Sequence, residues 1–195
     1  MTVVNGSQLI AAAPIRDMLT TKERLHGVSY GLAEAGYDIR IKQDIQFIPA
    51  GKHLYVPIAE EGPKVGFRRQ LITEQSVAVV DNPATPEWSH EIKPGRFTIA
   101  SAIEEFQMPT NLVGVVHDKS TWARRGLSVF NTVLEPGWKG FLTLELVYHG
   151  QDVLHIPAGA GIAQILFSRI ETEGRYTGKY QNQADRPVEA IYEKG

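Results

Sequence analysis

Residues 117–127, HDKSTWARRGL, crowd hydrogen-bond donors and cations around one tryptophan, at the mouth of the apolar, β-leaning run LSVF. Lys119 and Arg124 supply charge, and Ser120 and Thr121 supply compact hydroxyl donors, a combination that suits phosphate oxygens. A solvated, charged turn accounts for the same composition, so an anion cradle and a plain surface turn are both open. Two glutamates follow within a short distance. In the strand-like GFLTLELVY, alternation puts Leu142, Leu144, Leu146 and Tyr148 on one face and Phe141, Thr143, Glu145 and Val147 on the other. A carboxylate among apolar neighbours is partly desolvated, which raises its pKa toward the range useful for taking and returning protons. Glu145 is therefore either such a group or a solvated glutamate on an outer strand face. Glu135, in EPGW, reads first as a turn residue ahead of Pro-Gly.

Other chemistries are closed to this chain. It has no cysteine, which removes disulfides, thiol nucleophiles and thiolate zinc sites. The histidines at 26, 53, 90, 117, 149 and 155 show no HExxH spacing. Catalysis must rest on carboxylates, hydroxyls, amides and arginines.

The elements that position these residues are short. After a helical candidate at Ser7–Ala13, stopped by Pro14, the chain reads as strand and turn: YDIRI, HLYVPI, SVAVV, GRFTIAS, LVGVV, LSVF, FLTLELVY, DVLHI and IAQILF. This pattern predicts a mainly β fold, barrel or sandwich, with short helices. DNPATPEWSH reads as an exposed loop insertion. With 195 residues, 43% of them apolar, the chain suits one domain over 1–195. Beyond Glu171 it turns polar, and the tail 172–195 is either disordered or held by something else. A formal charge of -2 argues against a general nucleic-acid or anionic-membrane partner. The start MTVVNGSQ lacks signal-peptide layout, and no apolar run nears the roughly 18 residues of a membrane span, so a cytoplasmic location is expected.

Taken in order, SYGLAEAGYDIRI, KPGRFTIASAIEEFQMP, KSTWARRGL, EPGWKGFLTLEL, IPAGAGIAQILF and GKYQNQ resemble the dCTP deaminases, a family within the trimeric dUTPase-like superfamily. The resemblance implies a dUTPase-like distorted β-barrel or jelly-roll, a homotrimer with active sites between subunits, and a tail that closes over bound nucleotide. It implies hydrolytic deamination of dCTP to dUTP and ammonia, without zinc, with Mg²⁺ carried by the triphosphate. Glu145 matches the family's proton shuttle, and Ser120 and Arg124 match the residues that hold the attacking water and the carboxylate. Lys119, Ser120, Thr121 and Arg124 match the triphosphate-contacting stretch, and Glu135 falls beside the deoxyribose. Thr143 and Leu144 flank the catalytic glutamate, Gln164 matches a binding glutamine, and Tyr176, Lys179 and Gln183 match phosphate-binding tail positions.

Two departures bear on this. LSVFNTVLEPGW is shorter than the corresponding family hairpin, with Phe130, Asn131, Thr132 and Val133 where a His-x-Thr-Ala-like phrase is usual. In the family that hairpin recognises the pyrimidine and mediates inhibition by dTTP, so the resemblance leaves both the base and feedback by dTTP open for this chain. Glu135 also stands where aspartate is usual, and in dUTPases that aspartate activates the water attacking the phosphate chain. A side chain longer by one methylene would misplace it, which weighs against a dUTP diphosphatase or bifunctional enzyme yielding dUMP. A non-catalytic nucleotide-binding regulator would need the cradle and no shuttle.

Overall fold

Runs of β-branched and aromatic residues, each closed by a Gly, Pro or Asn turn, become strands in the computed structural model, which describes residues 2–59, 65–81 and 90–193. In chain order the first elements are β1 (Thr2–Val4), α1 (Gly6–Ala12), β2 (Lys22–Leu25), β3 (Val28–Leu32), β4 (Tyr37–Arg40), β5 (Asp44–Ile48), β6 (His53–Ala59) and β7 (Val65–Leu71). There follow β8 (Ser76–Val80), β9 (His90–Pro94), β10 (Phe97–Gln107), β11 (Leu112–Asp118), α2 (Ser120–Ala123) and β12 (Leu127–Val129). The last are β13 (Val133–Leu134), β14 (Lys139–Tyr148), β15 (Leu154–Ile156) and β16 (Gly161–Arg169).

The strands pair antiparallel throughout. One sheet runs β13-β11-β16-β4-β3-β2 with β1 added on β16. A second runs β10-β14-β12, a third β15-β5-β8-β9, and β6 and β7 form a separate hairpin. The inward faces meet in one apolar core that includes Tyr37, Phe47, Phe106, Leu144, Ile165 and Phe167. A smaller cluster of Ile48, Leu54, Ile72 and Ala78 lies at the β6–β7 end. The mainly β reading and its short helices therefore hold.

The differences have local causes. The first helix covers Gly6–Ala12 rather than Ser7–Ala13, because Ala13 takes the left-handed conformation (φ 44°) that ends it one residue before Pro14. KSTWARRGL contains a helix of only four residues (Ser120–Ala123), too short to leave a helical apolar period in the sequence. β2 escapes sequence reading because every residue in it is exposed, leaving no apolar alternation to detect. Residues 82–89 of the expected loop insertion DNPATPEWSH lie outside the described residues.

Beyond Arg169 the chain forms no strand, yet it is held. The Tyr176 amide donates to the Pro136 carbonyl at 2.7 Å, the Trp138 indole N–H to the Tyr180 carbonyl at 2.6 Å, and the Phe141 amide to the Gln183 carbonyl at 3.1 Å. Gln183 forms a parallel bridge with Gly140. Gly140 sits at φ +126°, and a Cβ there would collide with the Gln183 backbone, so only glycine admits this approach. Of the two sequence readings, the tail is the held one.

Candidate active site

β14 lies between β10 and β12, and its alternation sorts the chemistry. Leu142, Leu144, Leu146 and Tyr148 are buried in the core. Thr143 and Glu145 turn the other way, onto a cavity of about 1080 Å³.

Glu145 is walled in by apolar neighbours. Ile99 of β10 stands directly opposite it on one side. On the other, Phe130 continues the register of β12, and its amide donates to the Glu145 carbonyl at 3.0 Å. The carboxyl Oε2 is buried with no hydrogen-bond partner among protein groups. Burial pushes the Glu145 carboxyl above the ordinary carboxylate value of 4.5, and a backbone hydrogen bond offsets this in part. The desolvated reading of this residue is thus the one realised. A carboxyl with a free oxygen and a raised pKa, facing a cavity, can exchange protons with a ligand bound there.

Three further expected residues share the cavity with it: Glu135, Tyr176 and Gln183. Glu135 is exposed in the turn between β13 and β14, where its carbonyl accepts the Trp138 amide at 3.1 Å. Thr143 accepts the Val188 amide at its Oγ1, 3.0 Å away, which ties this part of the tail to the cavity wall. Lys179 is on the tail but not on the cavity wall; its ammonium lies over the Tyr180 ring, 5.4 Å from the centroid. Leu144 flanks Glu145 in sequence and points into the core, 1% exposed.

The cradle stands apart from this cavity. Ser120 and Thr121 are exposed on α2 and Arg124 is exposed at its C-cap, and none of them lines the wall around Glu145. Lys119, which precedes the helix as its N-cap, is turned inward: its ammonium donates to Asp38 of β4. Gln164 is half-buried on β16, between His117 of β11 and Asp38. The cavity of one chain is accordingly acidic. Asp81, Glu135, Glu145 and Glu189 face it, while Lys42 is paired with Asp185 at 2.6 Å and Lys93 with Glu91 at 3.1 Å. Arg186 adds the remaining cation. Among the described residues, no group of three or more His, Asp or Glu is arranged to hold a metal ion, and no helix is long and apolar enough to cross a membrane.

Sequence reasoning missed Asp38, Phe97 and Val188. Asp38 carried one signal, a charged residue inside the apolar strand YDIRI. Phe97 lines the cavity and stacks on Phe130, with ring centroids 6.3 Å apart. Nothing in the local sequence announces that pairing.

A family model described as dCTP deaminase-like matches residues 12–170. The chain is 34% identical to the dCTP deaminase of Protochlamydia amoebophila over 161 residues, 80% of this chain and 77% of that protein. It is 34% identical to the dCTP deaminase of Chlamydia muridarum over 168 residues (84% and 79%) and 32% identical to that of Acidobacterium capsulatum over 161 residues (80% and 79%). Among solved structures it is similar to the native EIAV dUTPase, with a TM-score of 0.44 and 17% identity over 86% of this chain and 92% of that one.

Proposed function

The chain belongs to the dCTP deaminase-like family, and from that premise we propose that it converts dCTP and water to dUTP and ammonia, with Glu145 as proton shuttle. The observation that carries this is the Glu145 carboxyl itself, desolvated, unpartnered at Oε2 and open to the cavity. As the ionised base, Glu145 takes a proton from water while the oxygen bonds to C4 of the pyrimidine. The proton passes to N3, and a second transfer through the same carboxyl protonates the amino group. The C4–N bond then breaks, ammonia leaves, and the C4 carbonyl of uracil remains.

A triphosphate needs more free cations than this wall offers, where Lys42 and Lys93 are paired with carboxylates and Arg186 is added to them. We assign that task to Ser120, Thr121 and Arg124 of another copy of the chain, within a homotrimer, because these exposed donors lie away from the Glu145 cavity of their own chain. Ser120 and Arg124 also orient the water and carboxylate in this reading. Lys119, fixed by Asp38, sets the turn that presents them. Glu135 faces the deoxyribose, and Thr143 and Leu144 hold the shuttle in register. Gln164 takes part beside the cradle. Tyr176, Lys179 and Gln183 belong to the tail (172–195) that closes over the nucleotide. Mg²⁺ enters as part of the substrate, on the triphosphate, since it keeps several waters and favours phosphate oxygens. Zinc has no part in the step, and the reaction belongs to the cytoplasmic deoxynucleotide pool.

One observation favours a second reading. Glu135 lines the same cavity as Glu145, so a carboxylate is available to activate a water against the phosphate chain and release dUMP and pyrophosphate. Separating dCTP, dUTP and dUMP after incubation decides between them: dUTP without pyrophosphate supports the deaminase, and dUMP without free dUTP supports the bifunctional enzyme.

A further inference from the structure

The two lysines of the Glu145 cavity are both paired with carboxylates, and the pairs are built differently. Lys93 is matched from its own strand by Glu91, at 3.1 Å. Lys42 is matched from the tail: its ammonium meets Asp185 Oδ2 at 2.6 Å and donates to the Asp185 carbonyl at 3.1 Å. The two ends of this second pair are held unequally. The Lys42 amide donates to the Ser101 carbonyl at 2.9 Å. Gln43, 2% exposed, accepts the Ser101 amide at 2.8 Å on its side-chain oxygen and donates to the Ser101 hydroxyl at 3.2 Å. The turn that carries Lys42 is thereby clamped to β10, where Ser101 stands opposite Thr143 as Ile99 stands opposite Glu145. Asp185 lies in a segment without strand or helix, between the Gln183 dock and the Val188 amide bond to Thr143. The Lys42 and Asp185 side chains are 34% and 51% exposed, and an ion pair so open to water is weak. The result is a cation fixed to the cavity wall and covered by a displaceable anion that offers it two oxygens.

We propose that Lys42 binds a phosphate of the nucleotide, and that Asp185 of the tail occupies its ammonium as an internal stand-in until the nucleotide displaces it. Phosphate oxygens offer the same ammonium the same kind of charge-assisted bond, and a triphosphate brings more negative charge to it than one carboxylate. Asp185 leaves without undoing the dock, because Gln183 makes the contacts to Gly140 and Phe141. Lys42 then adds one cation of the cavity's own chain to those of the cradle. The inference rests on the reading of this cavity as the nucleotide site, but not on which bond of the nucleotide is broken there.

The test is a double-mutant cycle on the full-length chain: wild type, Lys42→Met, Asp185→Asn and the double variant. Binding of inorganic tripolyphosphate and of dCTP is measured by calorimetry at one fixed ionic strength, with product formation from dCTP followed alongside. Asp185→Asn uncovers the ammonium and should tighten binding of both ligands by about two- to fivefold, the range of a half-exposed ion pair. Lys42→Met should weaken both by about tenfold, the loss of one charge-assisted hydrogen bond. In the Lys42→Met background, Asp185→Asn should change nothing, because its gain passes through the lysine. If Lys42→Met does not fold, Lys42→Gln carries the same comparison. Charges that act only through the general field of the cavity would give additive effects, so an Asp185→Asn gain that persists without Lys42 overturns the proposal. Weaker binding in Asp185→Asn, or wild-type affinity in Lys42→Met, overturns it as well. Wild type that binds dCTP with this coupling and forms no dUTP would leave Lys42 in its role and remove the deaminase reading. Formation of dUTP with additive effects would do the reverse.

Discussion

Lys119 and Asp38, 81 residues apart in sequence, meet inside the protein: the ammonium donates to Asp38 Oδ2, which also accepts the Ser29 hydroxyl at 3.2 Å. Lys119 is 9% exposed and Asp38 3%, so the pair anchors the start of α2 to β4. A lysine drawn from a cationic surface motif is thus spent within the fold, and the outward charge of the motif is left to Arg124 and Arg125.

Removing one partner strands the other charge in a dry site. Lys119→Met should therefore cost about 3–5 kcal/mol in urea unfolding, and Asp38→Asn a comparable amount. The double substitution should recover most of the loss, because no unpaired charge remains. A Lys119→Met protein with the wild-type midpoint would show that the pair is not structural.

The raised Glu145 pKa has a thermodynamic consequence whose sign is fixed. Burial disfavours the anion in the folded chain, so between 4.5 and the raised value the native state holds a proton that the unfolded chain has released. The carboxyl's contribution to stability therefore falls as pH rises through that window and is constant above it. Glu145→Gln does not titrate, so it should be more stable than wild type at pH 7 to 8 and equal to it below 4.5. A difference that grows on acidification would contradict the assignment. The acid limb of kcat/KM should lie above the ordinary carboxylate range for the same reason. Glu104, also raised by burial although Arg40 donates to it, contributes equally in both proteins and drops out of the comparison.

The tail should matter to the fold as well as to binding. Deleting residues after Gly174 removes the acceptor of the Trp138 indole N–H and of the Phe141 amide. Trp138 is 5% exposed, so the loss should cost about 1–3 kcal/mol, shift tryptophan emission to the red and raise KM for dCTP. Gly140→Ala should reproduce the KM change without a deletion, since its Cβ drives Gln183 away. Unchanged emission and KM in both variants would exclude closure by the tail.

Much of the site could be read from GFLTLELVY, because a strand's two faces are written in its alternation and Glu145 stands among apolar residues on one of them. The held tail was half legible: its polarity said it could not fold alone, and only the structure supplies Gly140 and Trp138 as its dock. What stayed hidden depends on contacts between distant segments. Nothing near Lys119 specifies Asp38, and nothing near Phe130 specifies Phe97. β2 was invisible for another reason, since a wholly exposed strand buries no face and leaves no period in the sequence.

The central claim is that Glu145 moves the protons of dCTP deamination, and product analysis over time for wild type and Glu145→Gln tests it most directly. Anion-exchange separation should show wild type converting dCTP to dUTP with one ammonia per dUTP and no pyrophosphate. Glu145→Gln should be slower by about 10² to 10⁴ while still binding dCTP. Wild type that leaves dCTP intact, wild type that yields only dUMP and pyrophosphate, or a Glu145→Gln protein that deaminates at a near-normal rate would contradict it.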